Sequence, residues 1–221
     1  MRIYKFRSLA NETDYCRLRN ILETGYFWCS KFFELNDPME GVFSLSGEND
    51  GIIDRGISDI YSLKNEYKIC AFSGREGFLN PAMWGYYTNG FKGVAIEIEI
   101  EENKVEKISY KENILEIFLH RNTDTPEFDA IVKNIFTKKL KAWEREDEYR
   151  YLIKSDNNYH KIGKMTAVYF GNPYGNLSNT PDIQKNEKLV EYTNFRKKLT
   201  KNMDYWNVKI RNGAIEKDDK V

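Results

Sequence analysis

The sequence has few of the residues that bind metals or form disulfides. It contains two histidines and three cysteines among 221 residues, and Cys16, Cys29 and Cys70 follow no CxxC spacing. The scarcity of histidine argues against a zinc site built from His and Cys. An odd number of widely spaced cysteines is typical of a reduced, cytoplasmic protein.

Net charge and long apolar runs are also missing. The 34 Lys and Arg residues balance 34 Asp and Glu residues. This balance excludes a global attraction to nucleic acid or anionic lipid, although it permits a local basic patch. No apolar run approaches membrane-spanning length, and residues 1–6 lack the apolar core of a signal peptide. We therefore expect a cytoplasmic protein with no membrane partner.

Aromatic residues are abundant, with 15 Tyr and 13 Phe. They give enough apolar mass for a core, and we predict one α+β domain over residues 1–215 with a frayed tail at 216–221. Strands and helices do not alternate regularly, which predicts a mostly antiparallel, split sheet with flanking helices. The predicted strands are 2–7, 26–30, 67–73, 94–100, 105–110 (beside 94–100), 149–153, 166–171 and 205–210. One predicted helix ends at Gly25, and three others span 51–64, 125–141 and 180–200. A short helix is predicted to begin at Asn80-Pro81.

The segment 141–153 changes its period from helical to alternating. At the change lie Glu146 and Glu148, with Arg145 and Arg150 beside them. If both glutamates belong to the strand, their side chains point to the same face, because strand side chains alternate. The alternative is a pair of surface carboxylates bonded to the two arginines.

Several short segments, taken together, resemble the bacterial DUF2971 family over residues 2–171. The segments are IYKFRSL (3–9), FWCS (27–30), FELNDPME (33–40), ICAFS (69–73), MWGYY (83–87), KGVAI (92–96), Lys139 with WEREDEYR (143–150), and VYFG (168–171). One departure is Tyr86, where the family often has His. This resemblance implies that residues 2–171 fold as one unit, and it implies no particular reaction.

The chain order also resembles, more distantly, that of ADP-ribosyltransferases, and especially of their nucleic-acid-modifying branch. Those enzymes carry Arg or His on the first strand, Ser or Tyr on or after a middle strand, and Glu at the start of a late strand. The matching residues here are Arg7, then Ser73 or Tyr87, then Glu148 with Glu146. This resemblance implies NAD as a substrate and a nucleic acid or protein as acceptor. It also implies a toxin or phage-defence role with a possible antitoxin.

The resemblance assigns a role to each charged candidate. Glu148 would bind the ribose 2′-hydroxyl and stabilise the ribosyl cation of the transition state. Glu146 would orient or deprotonate the acceptor. Arg7 would bind the diphosphate of NAD, and its alternative is an ion pair with a carboxylate such as Glu40.

The remaining NAD contacts are assigned to aromatic, hydroxyl and thioether side chains. The residues are Tyr4, Trp28, Ser30, Ser73, Met83, Trp84 and Tyr87. Plain core packing is the alternative for the aromatic rings, and turn capping is the alternative for the serines.

Two other functions remain open on the sequence. A metal-dependent nucleic-acid hydrolase would use Asp37, Glu40, Glu146 and Glu148 as converging carboxylates. A non-catalytic binding module would use Glu146 and Glu148 only structurally.

Overall fold

The computed structural model describes residues 1–35, 41–120, 125–175, 177, 180–199 and 204–220. The strands are β1 (Arg2–Ser8), β2 (Phe27–Trp28), β3 (Phe43–Gly47), β4 (Tyr67–Ser73), β5 (Gly93–Glu99), β6 (Glu106–Lys107), β7 (Ser109–Lys111), β8 (Leu115–Leu119), β9 (Lys138–Leu140), β10 (Glu148–Lys154), β11 (Tyr159–His160), β12 (Lys164–Phe170), β13 (Asp204–Arg211) and β14 (Ala214–Lys220). The helices are α1 (Glu12–Thr24), α2 (Asp50–Glu66), α3 (Arg75–Leu79), α4 (Pro81–Tyr87), α5 (Thr125–Phe136), α6 (Pro181–Gln184) and α7 (Glu187–Lys198). Segments of 3-10 helix include Phe32–Glu34, Glu102–Lys104 and Lys141–Glu146.

The main sheet contains eight strands in the described part of the chain, in the order β14-β13-β12-β5-β1-β4-β10-β6. Its neighbouring strands run antiparallel except for the parallel pair β12 and β13. Helices flank this sheet. The predicted α+β class and the mostly antiparallel sheet are therefore confirmed.

The sheet opens between β1 and β4. Strand β1 pairs with β5 from Arg2 to Ser8, but it pairs with β4 only at Tyr4 and Ser73. Beyond that pair, Lys5 Nζ donates a hydrogen bond of 2.6 Å to Ala71 O. A side chain, rather than a backbone ladder, thus connects the two strands there.

Both faces of the sheet are buried under hydrophobic clusters. Successive side chains of β1 point to opposite faces, so neighbouring residues of β1 belong to different clusters. Ile3 belongs to one hydrophobic cluster, with Leu18 of α1, and Tyr4 to another, with Trp84 of α4. A third cluster lies under α2 and α5 and contains Ile60. In the described ranges, no helix combines the length and apolarity needed to cross a membrane.

Local capping rules hold well in this chain. Asn80 Oδ1 accepts a hydrogen bond from Ala82 N and Pro81 is the first residue of α4, as predicted. Asn11 caps α1, and Gly25 ends it with a φ of 73°. The predicted strands that became β4, β5, β12 and β13 are confirmed within two residues.

The predicted helix 125–141 is wrong in its second part. Helix α5 ends at Phe136, where the Thr137 hydroxyl bonds back to Lys133 O and Asn134 O. The next three residues form β9, which pairs in parallel with β7. This pairing is long-range, so helical spacing of apolar residues cannot reveal it.

Other segments also differ from the sequence prediction. Residues 75–79 form α3 instead of a loop, and residues 106–111 pair with β10 and β9 instead of β5. Residues 214–220, in part expected to be frayed, form β14 against β13. The long C-terminal helix is divided into α6 and α7.

Lys64 is a buried cation inside the cluster under α2. Its side chain is 1% exposed, and Nζ donates to Gly41 O at 3.1 Å. Nζ also lies 4.2 Å from the ring centroid of Phe32 and 5.1 Å from that of Tyr61. Burial lowers the pKa of Lys64 from 10.5 to about 8.

This burial gives a prediction for stability against pH. Between pH 8 and 10 the unfolded chain binds more protons at Lys64 than the folded chain, so the free energy of unfolding should rise with pH. We expect a rise of about 2–3 kcal/mol that is lost in Lys64→Met. Urea unfolding of the wild-type and Lys64→Met proteins between pH 8 and 10 measures this rise. If the free energy of unfolding depends on pH in the same way in both proteins, the prediction is wrong.

Candidate active site

Glu146 and Glu148 lie on either side of a tight backbone turn. Glu146 ends the 3-10 helix, Asp147 is left-handed with φ 45° and ψ 52°, and Glu148 begins β10. The prediction that strand alternation places both glutamates on one face is therefore wrong, because Glu146 precedes the strand. The turn and their shared partner bring the carboxylates together instead.

Helix α3 holds this turn in place. Gly74 N donates to Asp147 O at 2.7 Å, and Glu76 N donates to Asp147 Oδ2 at 3.1 Å. Gly77 packs so closely that a Cβ atom there would lie 2.3 Å from Glu146 O. Only glycine fits at that approach, so this glycine fixes how near α3 comes to Glu146.

Lys139 connects the two carboxylates. Its Nζ lies 2.6 Å from Glu146 Oε2 and 3.1 Å from Glu148 Oε2. Tyr87 OH donates to the other oxygen of Glu146 at 2.5 Å. These groups come from β9, α4, the 3-10 helix 141–146 and β10, and the two glutamates are only 4% and 5% exposed.

Arg150 completes the cluster. Its Nε donates to Glu148 Oε1 at 2.6 Å, and its Nη1 donates to Phe136 O at 2.7 Å. Of the alternative in which surface carboxylates bond to Arg145 and Arg150, only the pair of Glu148 with Arg150 is present, and it is buried rather than on the surface. Arg145 is exposed and lies 5.4 Å from the ring centroid of Tyr86.

Burial and neighbouring charges shift the pKa values of three groups in the cluster, Glu148, Lys139 and Tyr87. Burial raises the pKa of the Glu148 carboxyl, Lys139 opposes this, and the nearby Glu146 raises it further. Burial alone would lower the pKa of Lys139, but the charges of Glu148 and Glu146 raise it. Burial and the hydrogen bond to Glu146 raise the pKa of Tyr87. Such a cluster is suited to hold or move a proton.

A cavity of about 370 Å³ lies where the sheet opens between β1 and β4. It brings together Arg7 of β1, Ser73 of β4 and Glu148 of β10, three strands that are adjacent in the sheet. Most of the sequence-predicted site residues line it. They are Tyr4, Arg7, Trp28, Ser30, Ser73, Met83, Tyr87, Glu146 and Glu148.

Trp84 is the exception among the predicted contacts. Its ring is fully buried, its Nε1–H donates to Phe78 O at 2.8 Å, and it does not line the cavity. Met83 and Tyr87, which are four residues apart, share the helix face toward the cavity, whereas Trp84 packs on Phe6. Tyr4 offers only its ring, since its hydroxyl donates to Glu97.

Two cations on β1 face the cavity without a carboxylate partner among the described residues. Arg7 Nε is enclosed and makes no hydrogen bond there, and Lys5 Nζ donates to the carbonyl of Ala71. Burial lowers the pKa of both groups. Glu40, the alternative partner of Arg7, lies outside the described residues. Buried cations without counter-charges are costly, and an anionic ligand would offset that cost.

Sequence reasoning missed Lys5, Lys139, Arg150 and the ring of Trp143 as cavity groups. Lys5 could have been found, because it lies two residues from Arg7 on a predicted strand and so shares its face. Lys139 could not, because the segment that carries it was predicted to be helical. Arg150 was assigned to the surface, and only the pairing of β10 with β4 and β6 shows that it is enclosed.

The acidic residues show no metal-binding arrangement in the ranges that the structure describes. No group of three or more His, Cys, Asp or Glu side chains there could hold an ion. Asp37 and Glu40, which the hydrolase alternative would use, lie outside those ranges. Both remaining carboxylates are bonded to cationic side chains.

The cavity thus combines cations on one side with a charge-balanced carboxylate pair on the other. The rings of Trp28 and Trp143 also line it. This combination suits a ligand that has an anionic part and a reacting part on which positive charge develops. Searches of protein-family models, curated proteins and solved structures find no match to this chain.

Proposed function

We propose that this protein is an NAD-dependent ADP-ribosyltransferase with an ADP-ribosyltransferase-like fold. One observation carries the proposal: Arg7, Ser73 and Glu148 lie on three adjacent strands around one cavity. This is the set of residues that the resemblance to ADP-ribosyltransferases assigns to the first, middle and late strands. The dinucleotide would enter where the sheet opens between β1 and β4.

The diphosphate of NAD would bind at Lys5 and Arg7. Both are cations on one face of β1, and neither has a carboxylate partner among the described residues. Arg7 offers a fork of donors that matches phosphate oxygens. A diphosphate would satisfy the enclosed Nε and balance two cations that have no carboxylate partner among the described residues.

Glu148 would act on the nicotinamide ribose. An ionised carboxylate has about four acceptor positions, and Arg150 and Lys139 each use one on Glu148. The remaining positions can accept the ribose 2′-hydroxyl. The negative charge then stabilises the ribosyl cation as the bond between C1′ and nicotinamide breaks.

Glu146 would serve the acceptor. Nicotinamide leaves with the bonding electron pair, the acceptor nucleophile forms a bond to C1′, and its proton passes to Glu146. Tyr87 and Lys139 hold the Glu146 carboxylate in the orientation needed. The acceptor is a nucleic acid or a protein, and we place the reaction in the cytoplasm. Modification of either acceptor would suit a toxin or phage-defence effector that an antitoxin restrains.

The test is release of nicotinamide from NAD by the purified protein. We expect release without added metal and unchanged release in the presence of a chelator. Cleavage of RNA or DNA that the chelator stops, with no nicotinamide released, would instead support a metal-dependent hydrolase. No release with any acceptor and no thermal shift with NAD would support a binding module.

A further inference from the structure

Cys29 and Cys70 face each other across two strand segments. Ser30 and Ile69 exchange both backbone hydrogen bonds at 2.8 Å, in an isolated antiparallel bridge. In an antiparallel pair, the positions next to such a pair form a non-hydrogen-bonded pair, in which the Cα atoms lie about 4.5 Å apart. Cys29 and Cys70 occupy those positions. This separation falls within the range that a disulfide can bridge.

Both side chains point into the same buried cluster. They are 0% and 1% exposed, and the structure holds them as free thiols. The third cysteine, Cys16, is exposed on α1. Cys29 and Cys70 can therefore form a disulfide only with each other, whereas Cys16 is exposed to solvent reagents.

The surroundings of Cys70 favour its thiolate. Burial alone would raise the pKa of Cys70, but a hydrogen bond from Cys29 and the charges of Lys5 and Arg7 lower it. The hydrogen bond to Cys70 and burial raise the pKa of Cys29. In the structure Cys29 Sγ donates to Phe27 O at 3.9 Å, and Cys70 lies near the two cavity cations that lack carboxylate partners among the described residues.

We propose that Cys29 and Cys70 are a redox site that forms a reversible cross-strand disulfide and thereby changes the anion affinity of the cavity. The oxidant is a low-molecular-weight disulfide. The Cys70 thiolate attacks one of its sulfur atoms and releases the other as a thiolate. Cys29 then loses its proton, attacks the Cys70 sulfur and releases the second small thiolate. Two protein thiols are oxidised, and one small disulfide is reduced to two thiols.

Entry of the reagent requires a local opening between the Cys29 segment and β4, while Cys29 N stays bonded to Asn158 O on the other side at 2.7 Å. The segment with Cys29 is joined to β4 only through the single Ser30–Ile69 bridge in the described residues. Such a connection opens more readily than a continuous ladder. Ser30, Ile69 and Ala71 also line the cavity, so the disulfide would form within its wall.

A disulfide sulfur cannot ionise, so after oxidation no thiolate at Cys70 can compete with an anionic ligand for Lys5 and Arg7. The oxidised protein should therefore bind inorganic pyrophosphate more tightly, by about tenfold. This part of the inference rests on the anion site of the proposed function. Formation of the disulfide does not, since it needs no NAD.

The experiment uses Cys16→Ser protein, so that only the two core thiols are present. We expect incubation with oxidised glutathione, followed by alkylation in denaturant, to show by intact mass the loss of two hydrogens, no alkylated cysteine and no attached glutathione. A further Cys29→Ser change should leave glutathione attached to Cys70. Two alkylated thiols in the Cys16→Ser protein would overturn the redox site.

Calorimetry with pyrophosphate, before and after oxidation and after reduction by dithiothreitol, tests the coupling. Equal affinities in the oxidised and reduced proteins would overturn it. Nicotinamide release is measured separately on reduced protein. A failure of the redox site is therefore distinguishable from a failure of the transferase.

Discussion

Replacing Glu148 with Gln should reduce the rate of nicotinamide release by about 100- to 1000-fold and leave NAD affinity within a few-fold. The amide keeps the shape of the side chain but removes the charge that stabilises the ribosyl cation, and losses of this size follow removal of one transition-state contact. Single-turnover rates and calorimetric NAD affinities, measured on the same protein, separate the two effects.

The Glu148→Gln change also removes an anion from a buried cluster, so folding needs its own control. Glu148→Asp keeps the charge but retracts the carboxylate from the cavity, and we expect it to lose nicotinamide release as well. Asp129 serves as the control for Glu148, because it is a carboxylate outside the cavity that also has a cationic partner. It accepts a hydrogen bond from Tyr67 OH and pairs with Lys154. Asp129→Asn should leave the rate unchanged. Full activity in Glu148→Asp and Glu148→Gln would refute the assigned role.

Replacing Arg7 with Met should weaken NAD binding by roughly 10- to 100-fold, as expected when one or two charge-assisted hydrogen bonds to the diphosphate are lost. The same change should leave the free energy of unfolding equal or higher. Arg7 is a largely enclosed cation without a carboxylate partner among the described residues, and its removal relieves a desolvation cost.

Arg150→Met is the contrasting variant. Arg150 pairs with Glu148 inside the protein, so its removal leaves that carboxylate short of a counter-charge. We expect a loss of about 3–5 kcal/mol in the free energy of unfolding, as for other broken buried pairs. Urea denaturation of both variants checks the contrast. Equal destabilisation would mean that Arg7 is a structural residue and not a ligand site.

Local sequence signals predicted the elements whose causes are local. The near-continuous apolar run 67–73 became β4, because this strand is covered on both faces. Asn80 and Pro81 predicted the start of α4, since side-chain capping and a fixed proline φ act within a few residues. The strand at Glu148 was likewise predictable from alternation.

The features that the sequence did not reveal depend on distant contacts. Lys139 reaches Glu146 and Glu148 only because β9 pairs with β7, and three residues are too few to show a period. The opening between β1 and β4 is a property of strand pairing, which no single strand encodes. The resemblance to ADP-ribosyltransferases made Arg7 a candidate, but its lack of a carboxylate partner among the described residues became visible only in the fold.

Trp84 was assigned to the site but does not line the cavity. The resemblance to ADP-ribosyltransferases assigned Trp84 a contact with NAD, and the alternative was plain core packing, for which its aromatic ring is equally suited. Residues 83 and 84 lie about 100° apart around a helix, so only one of them can face the cavity directly. The structure gives that position to Met83, together with Tyr87 one turn later.

The most direct test of the proposed function is a crystal structure of Glu148→Gln with NAD. We predict the diphosphate within hydrogen-bond distance of Lys5 and Arg7, and the nicotinamide ribose 2′-hydroxyl within hydrogen-bond distance of residue 148. NAD bound elsewhere, or a ribose directed away from residue 148 with the diphosphate far from Arg7, would contradict the assignment of this cavity.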